Sequence, residues 1–162
     1  MIEKLVSSIQ HLPNSLVTII VAALPVLELR GAIPLALCTL KEPFLKTFLL
    51  SILGNLLPVV PFLFLLKPFS ERARHFKLWS RFFDYIFAQA KKKAALIERY
   101  EALGLMLFVA VPLPGTGAWT GCIAASLFKI RFRYAVGAIS LGVFIAAIIV
   151  SILTVGGKYL FT

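Results

Sequence analysis

The chain has 162 residues, of which 60% are hydrophobic and only 15% charged, and it carries a formal net charge of +10. Ordinary soluble domains are about half apolar and about a quarter charged. A soluble chain this short cannot hide so much apolar surface, which excludes a soluble globular domain and a disordered one. A net charge of +10 taken alone would suggest nucleic acid or an anionic surface, so its location along the chain decides its meaning.

The first apolar stretch, 12–40, is interrupted at Pro25-Val26-Leu27-Glu28-Leu29-Arg30-Gly31-Ala32-Ile33-Pro34. Proline disfavours helix in the residue before it, and glycine permits reversal. The stretch therefore reads as two half-helices around a non-helical tip. Arms of this length reach about 15–20 Å, roughly mid-bilayer. That is a re-entrant hairpin, or a discontinuous helix that spans. Pro34 is placed in the first turn of the outgoing arm. The second stretch, 44–66, holds one charge, Lys46, and is long enough to cross a bilayer. Its Pro58 and Pro61 are tolerated in membrane helices, and Asn55 reads as polar glue between helices.

The segment 67–101 holds nine basic and four acidic residues, net +5. Phe76, Trp79, Phe83, Ile86 and Ala90 recur at helical spacing among the bases. This predicts an amphipathic helix lying on anionic lipid at the cytoplasmic face, and no nucleic-acid partner. The third stretch, 102–128, is uncharged and breaks at Pro112-Leu113-Pro114-Gly115-Thr116-Gly117. It predicts a second hairpin, with Thr116 capping an arm that begins near Ala118. Gly117, Gly121 and Ala125 form a packing stripe. After the basic loop 129–133, net +3, the fourth stretch, 134–157, is uncharged and reads as a second spanning helix. Its Ala138, Gly142 and Ala146 suit helix packing within or between chains, and a second copy is one way to complete a pathway.

Cytoplasmic loops are rich in Lys and Arg. Re-entrant hairpins put both 67–101 and 129–133 in the cytoplasm, whereas four crossings would separate them. Most of the +10 is then an orientation signal for a multi-pass protein of the cytoplasmic (inner) membrane. Pro25 to Lys46 and Pro112 to Arg133 span equal lengths, and Ser51-Ile52-Leu53-Gly54 resembles Ser140-Leu141-Gly142 with one residue of slippage. The fold class is therefore an all-α membrane protein with repeats over 12–66 and 102–157. One helix crosses between them, so they are inverted, as in many secondary transporters.

Glu28 and Arg30 are the ionisable residues deepest in an apolar run, which marks a pathway or a structural pair. Glu28 is the candidate proton-coupling residue, and Arg30 a donor for an anionic head group. The tips, with Gly31, Pro34, Pro112, Pro114, Gly115, Thr116 and Gly117, would direct half-helix N-termini at that anion. Pro114-Gly115-Thr116-Gly117 lacks the Lys-Ser/Thr of a nucleotide-binding loop. Cys38 and Cys122 read as small buried hydrophobes, without metal spacing. No apolar run holds a His, and no carboxylate pair or nucleophile–base arrangement occurs, so neither an enzyme nor a cofactor is expected. Met1 to Gln10 carries Glu3 and Lys4, with no cleavage motif after the first apolar run, so no removable leader is expected.

Leu24 to Pro34, then Gly54-Asn55, then Pro112-Leu113-Pro114-Gly115-Thr116-Gly117-Ala118-Trp119-Thr120-Gly121 resemble the small multidrug export family of bacteria and archaea. The resemblance covers nearly the whole chain and places Asn55 and Trp119 as supporting residues. That family is similar to the DedA/VTT membrane proteins, which implies two facing re-entrant hairpins and movement of a lipid-like substrate. Glu28 and Arg30 resemble the membrane-embedded acid and arginine of those proteins; the second hairpin has no such pair. Two other readings remain: an exporter of lipophilic cations with Glu28 as counter-ion, and a non-transporting scaffold that organises lipid.

Overall fold

The computed structural model describes residues 13–72, 101–113, 115–128 and 130–160. Among these every regular element is helical: α1 (Asn14–Ala23), α2 (Glu28–Pro34), a π-helical segment (Leu35–Thr39), α3 (Phe44–Leu56), α4 (Val59–Arg72), α5 (Glu101–Ala110), α6 (Ala118–Leu127) and α7 (Phe132–Leu160). Two runs are long and apolar enough to cross a membrane, Phe44–Leu66 with 23 residues and Phe132–Gly157 with 26. Most of the linker 67–101, with its expected amphipathic helix, lies outside the described residues. The helices divide between two compact units, Met1–Asn55 with Ala147–Thr162, and Leu56–Ala146.

In the first unit the break in the opening stretch is short, only Leu24 to Leu27. α1 and α2 fold back and pack on each other, with Val17, Val21, Ala22 and Ala32 in the core and Leu35 and Leu40 against it. The sequence suggested a non-helical tip from Pro25 to Pro34, and this is corrected: helix resumes at Glu28. Pro34 is likewise not in the first turn but ends α2. Proline has no N–H to give and its ring crowds the carbonyl four residues back. The chain answers by widening, and Leu40 N–H bonds the Leu35 carbonyl five residues back at 3.0 Å.

α3 packs on α1 through Gly54. A Cβ at that position would lie 2.5 Å from the Ile19 carbonyl oxygen and 2.9 Å from Ala22 Cβ. In the second unit Gly142 of α7 has the same relation to α5: a Cβ there would meet the Met106 carbonyl oxygen and Val109 Cβ, both at 2.7 Å. Ala138 and Ala146 are buried with it, so this small-residue row packs inside the chain. Gly121 of α6 sits on Val109 and near Ile139. α4 packs on α6 through Phe62 and Trp119, ring centroids 4.6 Å apart. Adding 87 to the bounds of α1 gives those of α5.

The surface of the long helices is inverted relative to a soluble protein. α3 and α4 expose Phe44, Leu45, Leu49, Leu53, Phe64 and Leu65, and α7 exposes Leu141, Phe144, Ile152 and Leu153. The same α3 buries Thr47, Ser51 and Asn55. Contiguous apolar surface of this extent needs an apolar surrounding.

The glycine contacts separate two kinds of substitution. Gly54→Ala and Gly142→Ala force backbone apart and should each destabilise the protein by about 1–3 kcal/mol. Gly137→Ala, in the same α7 but with open space around its Cβ, should be neutral or stabilise by up to about 1 kcal/mol. Thermal unfolding of the three variants in one detergent checks the order.

Candidate functional site

The α1–α2 tip is built by local hydrogen bonds. Glu28 N–H bonds the Leu24 carbonyl and Gly31 N–H bonds the Leu27 carbonyl, each at 2.9 Å. Glu28 is 6% exposed and adopts φ +48°. The left-handed region is unfavourable for a side chain with a Cβ, by roughly 1–2 kcal/mol. Strain of that kind persists where surrounding structure fixes it, and it collects at functional positions. Arg30 follows two residues on, half-buried and within the electrostatic reach of Glu28. Gly31 allows the turn to close, since a Cβ there would lie 3.0 Å from Leu27 Cβ. The structure thus brings Glu28, Arg30 and Gly31 together on the first turn of α2, with Pro34 at its far end.

The same unit holds a second polar feature, of which Asn55 alone is conspicuous in the sequence. Thr47, Ser51 and Asn55 recur every four residues along α3, and their exposures are 1%, 0% and 0%. None of their side-chain polar atoms has a hydrogen-bond partner within the described protein; the Ser151 hydroxyl of α7, also buried, has none either. Spacing was the available signal: three polar residues at i, i+4 and i+8 in an apolar run share one helix face.

In the second unit the tip between α5 and α6 is tied by Thr116. Its Oγ1 lies 2.6 Å from the Val111 carbonyl oxygen and 2.8 Å from that of Leu113, and it accepts the Leu113 N–H at 3.2 Å. Thr116 therefore does not cap α6, as its position suggested. The N-cap is Gly117, with φ 155° and no side-chain bond. Gly115 supplies the reversal, at φ +82°. Pro112 is half-buried beside that turn, and Pro114 lies outside the described residues. Trp119 joins Pro58, Val59, Phe62, Ala118 and Cys122 around a shallow apolar cleft. Cys122 is buried as expected, its thiol 3.9 Å from the Val59 carbonyl oxygen. Cys38 is not: it is exposed, on the outer side of the π-helical segment. Among the described residues no group of three His, Cys, Asp or Glu is arranged to hold a metal ion.

A family model described as "Putative small multi-drug export protein" matches residues 28–149. Among curated proteins and among solved structures, nothing matches the chain.

The Thr116 bonds predict a measurable local effect. Thr116→Val should destabilise the protein by about 1–2 kcal/mol through the lost bonds of the tip. Thr116→Ser keeps the hydroxyl and should recover most of that in the same unfolding assay.

Proposed function

The chain belongs to the putative small multi-drug export protein family, and we propose that it is a multi-pass transporter of the cytoplasmic membrane that moves an amphipathic, lipid-like substrate past the α1–α2 tip. The observation that carries this is Glu28, a buried carboxyl group in left-handed backbone two residues from Arg30. An ionisable pair at membrane depth is costly to keep and marks a pathway. Arg30 offers a planar set of donors to a phosphate-like head group. Glu28 takes up and releases the coupled proton. Export, not catalysis, is what the family description names.

Two re-entrant hairpins in an inverted repeat supply the frame. Supporting this, α1 and α5 are related by the same offset of 87 that relates Pro25 to Pro112. Each half also has one glycine of its long helix against a carbonyl of its first arm: Gly54 on Ile19, and Gly142 on Met106. With re-entrant hairpins, the basic loop 129–133 faces the cytoplasm and Lys41 the outside. Single cysteines at Lys41 and Arg131, in a chain with Cys38 and Cys122 replaced, should then label from opposite sides of the membrane. Labelling from one side overturns the hairpin topology.

Transport is tested in proteoliposomes with a fluorescent lipid phosphate and a cationic dye. Glu28→Gln should abolish the response of lipid movement to a pH gradient. Arg30→Lys keeps the charge but loses the bidentate geometry, and should weaken substrate binding about tenfold, or ~1.4 kcal/mol. Transport by Glu28→Gln equal to wild type at every pH removes the coupling role. Movement of the dye and not of the lipid would instead assign Glu28 as counter-ion to a lipophilic cation.

A further inference from the structure

The buried polar face of α3 calls for an occupant. Among the described residues several other buried or half-buried hydroxyls bond a carbonyl: Thr18 to Asn14, Thr154 to Val150, Thr120 to Gly117 and Ser126 to Leu66. Thr47, Ser51 and Ser151 had the same option through the carbonyl four residues back and do not use it. Each unsatisfied group in a non-aqueous interior is expensive, and four such side chains in one unit are not a small defect.

Their spacing selects among occupants. Side chains four apart on a helix are about 6 Å from one another. A single cation held at about 2.3–2.6 Å from each oxygen cannot touch groups strung along two turns, which span about 12 Å. One water, hydrogen-bonding at about 2.8 Å on each side, bridges a gap of that size. The row therefore suits a file of water and not one ion.

The two ends of the row are also placed. Thr47 lies one residue after Lys46, whose ammonium pairs with Glu42 at 2.8 Å in the loop at the start of α3. Asn55 follows Gly54, which rests on Ile19 and Ala22, two residues short of the Leu24 carbonyl that receives Glu28 N–H. The row thus runs from a charged loop to the depth of the hairpin tip. We propose that Thr47, Ser51 and Asn55 hold a file of water that carries protons between the Lys41–Lys46 end of α3 and the Glu28 carboxylate. A proton entering at the loop passes along the file and converts the carboxylate to the acid; the reverse movement releases it. Of the elements packed around the tip, α1 has no titratable residue, the π-helical segment has only Cys38, exposed, and α3 has only Lys46, exposed at the loop. Arg30 is the one charged neighbour of Glu28 on its own helix. This inference rests on the reading of Glu28 as the proton-coupling group.

Infrared spectroscopy of the full chain in liposomes tests it. The carbonyl band of protonated Glu28 is identified by its loss in Glu28→Gln, and its shift on transfer to D2O gives the exchange rate. In the wild type exchange is fast. In Thr47→Val and Ser51→Ala it should slow by about tenfold or more, because exchange then waits on local opening. Thr47→Ser, which keeps a hydroxyl and cannot overpack, should exchange like the wild type. Equal rates in Thr47→Val, Ser51→Ala and the wild type overturn the water file while leaving Glu28 as a proton carrier. A rise in melting temperature in both apolar variants also overturns it, since dry unpaired hydroxyls are relieved by removal whereas hydrated ones are not. If no band is lost in Glu28→Gln at any pH, Glu28 never holds a proton, and the coupling reading falls with the file.

Discussion

A surrounding that offers no hydrogen bonds governs this structure. The long helices turn leucine and phenylalanine outward and polar side chains inward, which is stable only where the outside is apolar. In such a setting each backbone break must find its partners within the chain. The tip between α5 and α6 does so through one threonine hydroxyl that serves two carbonyls and one amide. The segment after Pro34 does so by widening to a five-residue repeat. At the α1–α2 tip the Glu28 amide is satisfied by Leu24, at the expense of a left-handed backbone at a non-glycine residue. These three breaks have different geometries and the same cause.

Close backbone approach is the second half of that economy. Between apolar helices in lipid, association comes from packing more than from water release. Gly54 and Gly142 each let a long helix rest on a carbonyl of a short arm. In the first unit this contact also sets the depth of Asn55, because the two residues are adjacent. A buried polar side chain thus sits next in sequence to a residue whose only contribution is to have no side chain.

Much of this was legible in the residues. The four apolar stretches, the two long enough to cross, and the fold-back at 111–117 follow from hydropathy and Pro/Gly placement. Gly54 and Gly142 close two segments that are alike in sequence, Ser51-Ile52-Leu53-Gly54 and Ser140-Leu141-Gly142. The rest was hidden for physical reasons. Proline is common at helix starts, which is where the sequence places Pro34, but a π-widening lets it sit at the end of a helical turn. Threonine before an apolar run is often a cap, as the sequence suggests for Thr116, but here the carbonyls of the turn are nearer. The apolar neighbours of Cys38 suggest burial, yet it falls on the outer side of the π-helical segment, a displacement that period counting does not register. Thr47 and Ser51 are each ordinary helix residues taken alone; only with Asn55 do they define a face.

Burial and strain converge at Glu28 in a way that packing alone does not require. A structural ion pair would be served by a carboxylate in relaxed helical backbone, and the sequence around it, Leu27-Glu28-Leu29, has no glycine that would make the left-handed turn easy. A glycine there would remove the strain and leave the fold-back intact, since the hydrogen bond from residue 28 to Leu24 uses only the backbone amide. Keeping an acid at that point means carrying both a backbone penalty and a burial penalty on one residue. Protonation relieves the burial penalty and removes the attraction to Arg30, whereas ionisation restores the attraction and reinstates the penalty. In the proposed mechanism these two opposed terms, acting on one carboxyl group, are what link a proton to a phosphate arriving at Arg30.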